Sequence, residues 1–296
     1  MKDSRLKRHE LGFLELSEKP SPQSLAAYYE KTYYQNESSS YRKSYSTLES
    51  EVIGLRIAQR ASQARALLGS DFCGRMLDVG CGEGFVLSHF RSLGWQVAGI
   101  DFSRAGVEQM NPDCLPFVQQ GDVFQLLESQ ITAGERYNLV WLGNVLEHVL
   151  DPVGLLRSLR QILAYEGVLV ITVPNDGNAY HEALLESGGI PERFWIAIPD
   201  HISYFTKESL KNIAAATGWD CLNLQGDFPI DFYLAHAGSN YVTDRSLGPA
   251  AHRARLRLEY LISLSGLDTA NRFYTSLAEV GLGRNLIAYL RPQANV

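Results

Sequence analysis

The chain has 296 residues, 45% of them hydrophobic and 20% charged, which is enough apolar material for a full core and too much for a chain disordered overall. Against 27 basic residues stand 33 acidic ones, a formal charge of -6, so no general attraction draws the protein to a phosphate backbone or an anionic membrane surface. Neither nucleic acid nor a membrane is an expected partner. The four cysteines, Cys73, Cys81, Cys114 and Cys221, are scattered without a CxxC pair and read as reduced thiols of a cytoplasmic protein. The opening MKDSRLKRHELGF lacks the apolar run of a signal peptide, and no later window approaches a membrane span, so export or membrane insertion is not expected.

In chain order, residues 1–20 end at two interrupting prolines, Pro20 and Pro22, and are expected as a tail or loosely docked arm. Residues 21–70 read as a helical cap. A first helix opens at SPQSLAAYYEKTYY, and a second carries Leu48, Val52, Leu55, Ala58 and Ala61 at helical spacings. Between them lies a tyrosine cluster, Tyr28, Tyr29, Tyr33, Tyr34, Tyr41 and Tyr45, which suits either packing on the core or the wall of a ligand pocket.

From residue 71 the rhythm changes to short apolar strands, 75–80, 95–101, 116–122, 137–143 and 167–174, separated by helical segments. Such alternation predicts βαβ units and a parallel sheet covered on both faces, a doubly wound α/β domain over 71–226. An aromatic stretch at 176–200 is the expected lid, followed by a helix at 206–218 and a strand at 219–225. The last strand, 284–291 within a C-terminal piece 283–296, arrives only after a long connection. Residues 227–282 are therefore expected as a helical insertion, because so long a connection is seldom structureless.

The strongest local signal is Leu77-Asp78-Val79-Gly80-Cys81-Gly82-Glu83-Gly84-Phe85, where the first strand of the core runs into its first helix. Glycines there let the backbone turn sharply and approach a ligand at the carboxyl edge of the sheet. The dinucleotide fingerprint places its third glycine three positions after the second, whereas Gly84 comes two after Gly82 and Phe85 takes the expected place. Asp78 and Glu83 would repel a pyrophosphate and attract a protonated amine or a sulfonium. S-adenosylmethionine carries both cations, so the loop favours a methyl donor over NAD and disfavours an NAD-dependent oxidoreductase. Asp101 closes the second strand, where a carboxylate accepts from both ribose hydroxyls, and Asp122 closes the third, within reach of an exocyclic adenine amine. A lone Asp after a strand is more often a turn residue or helix cap, but three in register after three successive strands favour a ligand.

Taken in order, LDVGCGEG, GIDFS, GDV, YNLVWLGNVLEHVLDP and GVLVITVPN resemble the class I S-adenosylmethionine-dependent methyltransferases, in the branch that includes ubiquinone-biosynthesis O-methyltransferases and many sugar or natural-product methyltransferases. The resemblance covers residues 75–225 and the final strand. It implies a Rossmann-like, seven-stranded, mostly parallel sheet whose last strand is antiparallel, with S-adenosyl-L-methionine as cofactor and a small-molecule acceptor. It also implies that Asp78, Gly80, Cys81 and Gly82 surround the methionine part, with Asn144 bordering the transferred methyl. Asp101 and Phe102 are implied at the ribose and Asp122 and Val123 at the adenine. The hairpin that forms the end of the family sheet is here opened by residues 226–283.

Methyl transfer is a displacement at carbon, so positioning supplies most of the acceleration, and a base is needed only where the acceptor must lose a proton. The candidates are His201, in Pro199-Asp200-His201, which reads equally as a tie between its loop and the following helix start, and His148, in Asn144-Val145-Leu146-Glu147-His148. In ubiquinone-type relatives a Glu-His pair with a nearby Asp is associated with a divalent metal, and Glu147, His148 and Asp151 offer such groups. Asp151-Pro152 also reads as a helix start, however, and no metal is assigned. Tyr180, His181, Phe194 and Trp195 are expected to face a substrate ring from the lid. Arg253, Arg255 and Arg257 offer either an anion site or a solvated helix face. The sequence thus predicts a methyltransferase acting at oxygen on a small molecule; a non-catalytic cofactor-binding partner or regulatory protein of the same fold is the alternative.

Overall fold

A computed structural model describes residues 3–21, 23–25, 44–69 and 72–294. The chain opens with strands β1 (Leu6–Arg8) and β2 (Leu14–Leu16), followed by helix α1 (Thr47–Leu68). The core then runs β3 (Arg75–Val79), α2 (Phe85–Ser92), β4 (Gln96–Asp101), α3 (Ala105–Met110), β5 (Val118–Gln120), α4 (Val123–Thr132), β6 (Tyr137–Gly143), α5 (Pro152–Ile162) and β7 (Leu163–Pro174). After it come α6 (Ala179–Glu186), β8 (Ser203–Tyr204), α7 (Lys207–Ala216), β9 (Trp219–Gly226), α8 (Gly248–Ser263), α9 (Leu267–Glu279) and β10 (Asn285–Pro292).

Seven strands form one sheet in the order β5-β4-β3-β6-β7-β10-β9, with β10 antiparallel to both of its neighbours and the other pairings from β5 to β7 parallel. The two-residue period of the strands divides the core. Leu77, Val79, Val140, Leu142, Leu169 and Ile171 point to one face, and Met76, Leu139, Trp141, Val168 and Val170 to the other. On the first face lies α5, whose Leu155, Leu156, Leu159 and Ile162 are buried one helical turn apart. Its start is fixed by Asp151, which accepts from the Gly154 amide at 2.8 Å, and by Pro152 at the first helical position. Helices α1 and α2 cover the second face through Ala61, Ala64, Leu87 and Phe90.

The order follows the doubly wound rule, and its reversal between β4-β3 and β6 opens a crevice at the carboxyl ends of the strands. Residues 227–283 leave the sheet after β9 and return just before β10. The two ends pass so closely that a Cβ on Gly226 would lie 2.1 Å from the Leu282 carbonyl oxygen, and one on Gly283 would lie 2.6 Å from the Gly226 Cα. Between these ends are three single 3-10 turns and helices α8 and α9, which pack on α1. The contact is partly polar. Gln59 donates to Gln225 at 2.9 Å and to Asn271 at 2.6 Å, and Arg56 donates to Glu259 at 2.7 Å.

Three expectations change. The described part of the expected arm, residues 3–20, is not loose: β1 and β2 pair as a hairpin, β2 pairs with β8, and Phe13 and Leu16 are buried, Phe13 at 5.2 Å from the Phe205 ring. Strands of three residues are too short to show a period in sequence. The strand expected at 116–122 shrinks to Val118–Gln120, because Pro112 and Pro116 belong to a preceding 3-10 turn. The strand expected at 167–174 begins earlier, at Leu163. The expected first cap helix, with Tyr28, Tyr29, Tyr33, Tyr34 and Tyr41, lies outside the described residues. Among the described residues no helix is long and apolar enough to cross a membrane.

Candidate active site

The crevice holds a cavity of about 450 Å³ whose floor is the loop from β3 to α2 and whose walls come from α1, the segment after β6, and residues 200–201. Gly80, Gly82 and Gly84 all take positive φ, at 72°, 54° and 77°. A Cβ on Gly80 would lie 2.3 Å from a Val145 methyl, so the loop lies tight against the segment carrying Asn144. Asn144 is itself left-handed (φ 56°), its amide donates to the Thr172 carbonyl at 2.9 Å, and its side chain donates to Glu147 at 3.3 Å.

Asp78 is 3% exposed, and burial followed by the nearby Asp101 charge pushes its carboxyl up to about 8. Asp101 is also buried, with its two oxygens accepting from the Gly82 amide at 2.8 Å and the Ser103 amide at 2.9 Å. The same carboxylates and burial push the Cys81 thiol far up, so it is a neutral apolar wall rather than a nucleophile. Burial likewise raises Glu147, against the opposing pull of His148 and His201.

His148 and His201 meet edge to face, with ring centroids 4.9 Å apart. His148 Nδ1 lies 2.7 Å from the Asp200 carbonyl oxygen. A carbonyl only accepts, so Nδ1 carries the proton and the neutral ring keeps its lone pair on Nε2. Burial lowers the His201 pKa, but Asp176, Glu147 and Asp200 outweigh it, and the group ends above the ordinary imidazole value. The backbone holds this loop in place, since the Ile202 and Ser203 amides both donate to the Glu147 carbonyl, at 2.8 and 3.0 Å.

Of the residues expected from sequence, Asp78, Gly80, Cys81, Gly82, Asn144, His148 and His201 line this one cavity. Asp101 lies beneath the loop; Phe102, Asp122 and Val123 stand farther along the strand edge, outside the cavity lining. Asp122 caps α4 by accepting from the Gln125 amide at 3.0 Å. Asp151 caps α5 and is not part of the cluster that most nearly has metal-ligand spacing. That cluster is Glu147, His148 and His201, with one ligand atom of each within 4.8 Å of the others. The aromatic lid expectation is corrected. His181 and Trp195 are buried in a cluster of their own, stacked at 4.8 Å, and the cavity lining includes none of Tyr180, His181, Phe194 and Trp195. Arg253 and Arg257 are exposed and Arg255 meets His252 and Glu259, so none of the three reaches the cavity.

Sequence reasoning missed Arg60, which lines the cavity with Ile53 and Ile57 from α1. Burial lowers the Arg60 pKa; Asp227, 3.7 Å away, opposes that shift, and Thr172 accepts from it at 3.5 Å. The signal was an Arg in the stripe 53, 57, 60, one helical face that a packing explanation alone would fill with apolar residues. Tyr45, the described member of the tyrosine cluster, donates to Glu83.

A methyltransferase domain profile matches residues 50–224, more than half of the chain. The chain belongs to the methyltransferase domain family. Among curated proteins it is similar to the ubiquinone biosynthesis O-methyltransferase of Aeromonas salmonicida, with 28% identity over 158 residues covering 51% of this chain and 64% of that one. The enzyme of the same name from Pasteurella multocida is 29% identical, covering 41% and 53%. The chain thus matches less than two thirds of these relatives' length. Two solved structures share the fold. A SAM-dependent methyltransferase from Archaeoglobus fulgidus has a TM-score of 0.51 at 19% identity, covering 81% of this chain and 93% of that one. The 1,6-didemethyltoxoflavin-N1-methyltransferase of Burkholderia thailandensis, solved with 1,6-didemethyltoxoflavin and S-adenosylhomocysteine, has 0.52 at 13% identity, covering 98% and 100%.

Proposed function

We propose that this chain transfers the methyl group of S-adenosylmethionine to a hydroxyl of a small molecule, with His201 taking the hydroxyl proton. The carrying observation is that the glycine loop with its buried Asp78 and the His148–His201 pair line the same cavity. The donor's amino acid end is a zwitterion. Its ammonium pairs with Asp78, its carboxylate with Arg60 on the opposite wall, and the sulfonium methyl lies beside Asn144. Asp101 and Phe102 then take the ribose, and Asp122 and Val123 the adenine, along the strand edge.

Displacement requires the acceptor oxygen in line with the sulfur–methyl bond, and holding the acceptor in that line supplies most of the acceleration. As the oxygen attacks, its proton passes to the imidazole, and the surrounding carboxylates of Asp176, Glu147 and Asp200 stabilise the imidazolium that forms. Two imidazoles beside the donor site support catalysis over cofactor binding alone, and the O-methyltransferase relatives support oxygen as the acceptor atom.

Calorimetry with S-adenosylmethionine, S-adenosylhomocysteine and NAD, followed by a labelled-methyl screen over phenols, sugars and amines, tests the proposal. Micromolar donor binding, roughly -8 kcal/mol, with label on a hydroxyl is expected. Binding of NAD in place of the donor would overturn the assignment, and donor binding without transfer to any acceptor would favour the non-catalytic alternative.

A further inference from the structure

Behind His201, away from the cavity, stands a carboxylate that the reaction above does not touch. Asp176 follows β7, is 3% exposed, and has one oxygen 3.8 Å from His201 Nδ1. Neither of these two atoms, Asp176 Oδ2 and His201 Nδ1, has a hydrogen-bond partner, although both are buried. The other Asp176 oxygen accepts from Arg284 at 3.2 Å, and the Asp176 amide donates to the Phe205 carbonyl at 2.9 Å. Arg284 is the residue before β10, where the insertion returns to the sheet. Burial works against its charge, but Asp176 and Asp231 more than compensate, and its guanidinium lies 5.7 Å over the Phe194 ring. Asp231, 4.0 Å from Arg284, accepts from Tyr241 at 2.6 Å and is paired with His181 Nε2 at 2.8 Å. The carboxylate of Asp176 is therefore pinned from one side and left with a single oxygen turned to the imidazole.

We infer that Asp176, held by Arg284, is the positioning residue for His201: it accepts a hydrogen bond from Nδ1–H and so presents the Nε2 lone pair to the acceptor hydroxyl. The inference rests on the base role proposed above. An ionised carboxylate only accepts, so closure of the pair forces Nδ1 to donate and fixes the tautomer of the neutral ring. Closure needs a movement of about 1 Å to reach ordinary hydrogen-bond length, and such bonds commonly tighten only when substrate is bound. The other groups facing the ring are Glu147, His148, Asp200 and Tyr204, whose hydroxyl donates to the His201 carbonyl. Among the described residues the carboxylate within 4 Å of His201 Nδ1 is that of Asp176, which makes Asp176 its orienting partner. Through Arg284 the insertion acquires a task, since its Asp231, His181 of α6 and Tyr241 hold the cation that holds the carboxylate.

The test reads the tautomer directly and needs no acceptor. In protein labelled with 15N-histidine and saturated with S-adenosylhomocysteine, the His201 signal is assigned by its loss in His201→Gln and recorded at a pH where the ring is neutral. The expected parental form is Nδ1–H. In Asp176→Asn, Arg284 selects the amide oxygen, the new NH2 turns to the ring, and the signal should switch to Nε2–H. A parental Nε2–H ring, or an unchanged tautomer in folded Asp176→Asn, overturns the inference. The parental spectrum decides by itself if the variant does not fold. Failure of the base reading is seen separately, as parental turnover in His201→Ala, which the tautomer does not report.

Discussion

Tyr45 donates its hydroxyl to Glu83 at 2.8 Å while its ring meets Phe85 edge to face at 5.9 Å, which ties the segment entering α1 to the loop between β3 and α2. Glu83 and Phe85 both line the cavity, so the tie joins cap to cavity wall. Removing it in Tyr45→Phe forfeits a hydrogen bond of about 1 kcal/mol and should raise the S-adenosylhomocysteine Kd about threefold to tenfold, mainly through faster release. Stopped-flow release rates equal to the parent would show that the contact does not restrain the ligand.

Asp78 makes donor binding pH-dependent. Its carboxyl sits at about 8 in the free protein against an ordinary 3.8, so between these values it holds a proton that the unfolded chain has lost. Stability of the free protein therefore contains a contribution that falls as pH rises from about 4 to about 8. A cationic ligand needs the ionised form, so S-adenosylhomocysteine affinity should rise about tenfold per pH unit up to about 8 and then level, with proton release on binding. Asp78→Asn should abolish this slope, weaken binding, and stabilise the free protein at neutral pH by about 1–3 kcal/mol. A flat affinity profile from pH 6 to 8 in the parent would contradict the buried, protonated state.

The crossing glycines make a sharper structural prediction. Gly283 has φ 110° and its Cβ would strike the Gly226 backbone, which no rotamer change relieves. Gly283→Ala should cost about 2–4 kcal/mol in thermal or denaturant unfolding. Because neither Gly226 nor Gly283 lines the cavity, S-adenosylhomocysteine binding should change less than stability does. A variant as stable as the parent would show that the two ends of the insertion can separate.

What the sequence shows well is what repeats or stands in register. The β3, β6 and β7 apolar runs and the glycine loop with Asp78 were legible because period and spacing carry them. Asp101 and Asp122 were legible as strand-end carboxylates, and a helix cap, the role Asp122 takes on α4, was one reading of such an Asp, but not that Asp101 would lie under the loop on two amides. Arg60, Asp176 and Arg284 were illegible as a group. Asp176 and Arg284, 108 residues apart, meet because β7 and β10 are neighbours, and Arg60 reaches Thr172 of β7 because α1 lies over that strand. The lid reading of His181 and Trp195 failed for a related reason: aromatic composition marks burial as readily as ligand contact, and here the partner is Asp231 from a segment 50 residues later.

The two cavity histidines should separate in their variants. His201→Ala removes the proposed proton acceptor but no donor contact, so turnover should fall by about 10²–10⁴ while S-adenosylhomocysteine affinity stays near the parent value. His148 acts on the loop that carries His201, because its Nδ1 donates to the Asp200 carbonyl at 2.7 Å. His148→Ala should therefore lower turnover by a smaller factor, about tenfold, and also lower stability by about 1 kcal/mol through the lost bond. Chelator treatment distinguishes proton transfer from a cation held by Glu147, His148 and His201, whose ligand atoms lie within 4.8 Å of one another. Full turnover after chelation is the expected outcome. Loss of turnover restored by an added divalent ion would instead assign the two imidazoles to the ion, and would move the fate of the acceptor's proton to a metal-assisted deprotonation.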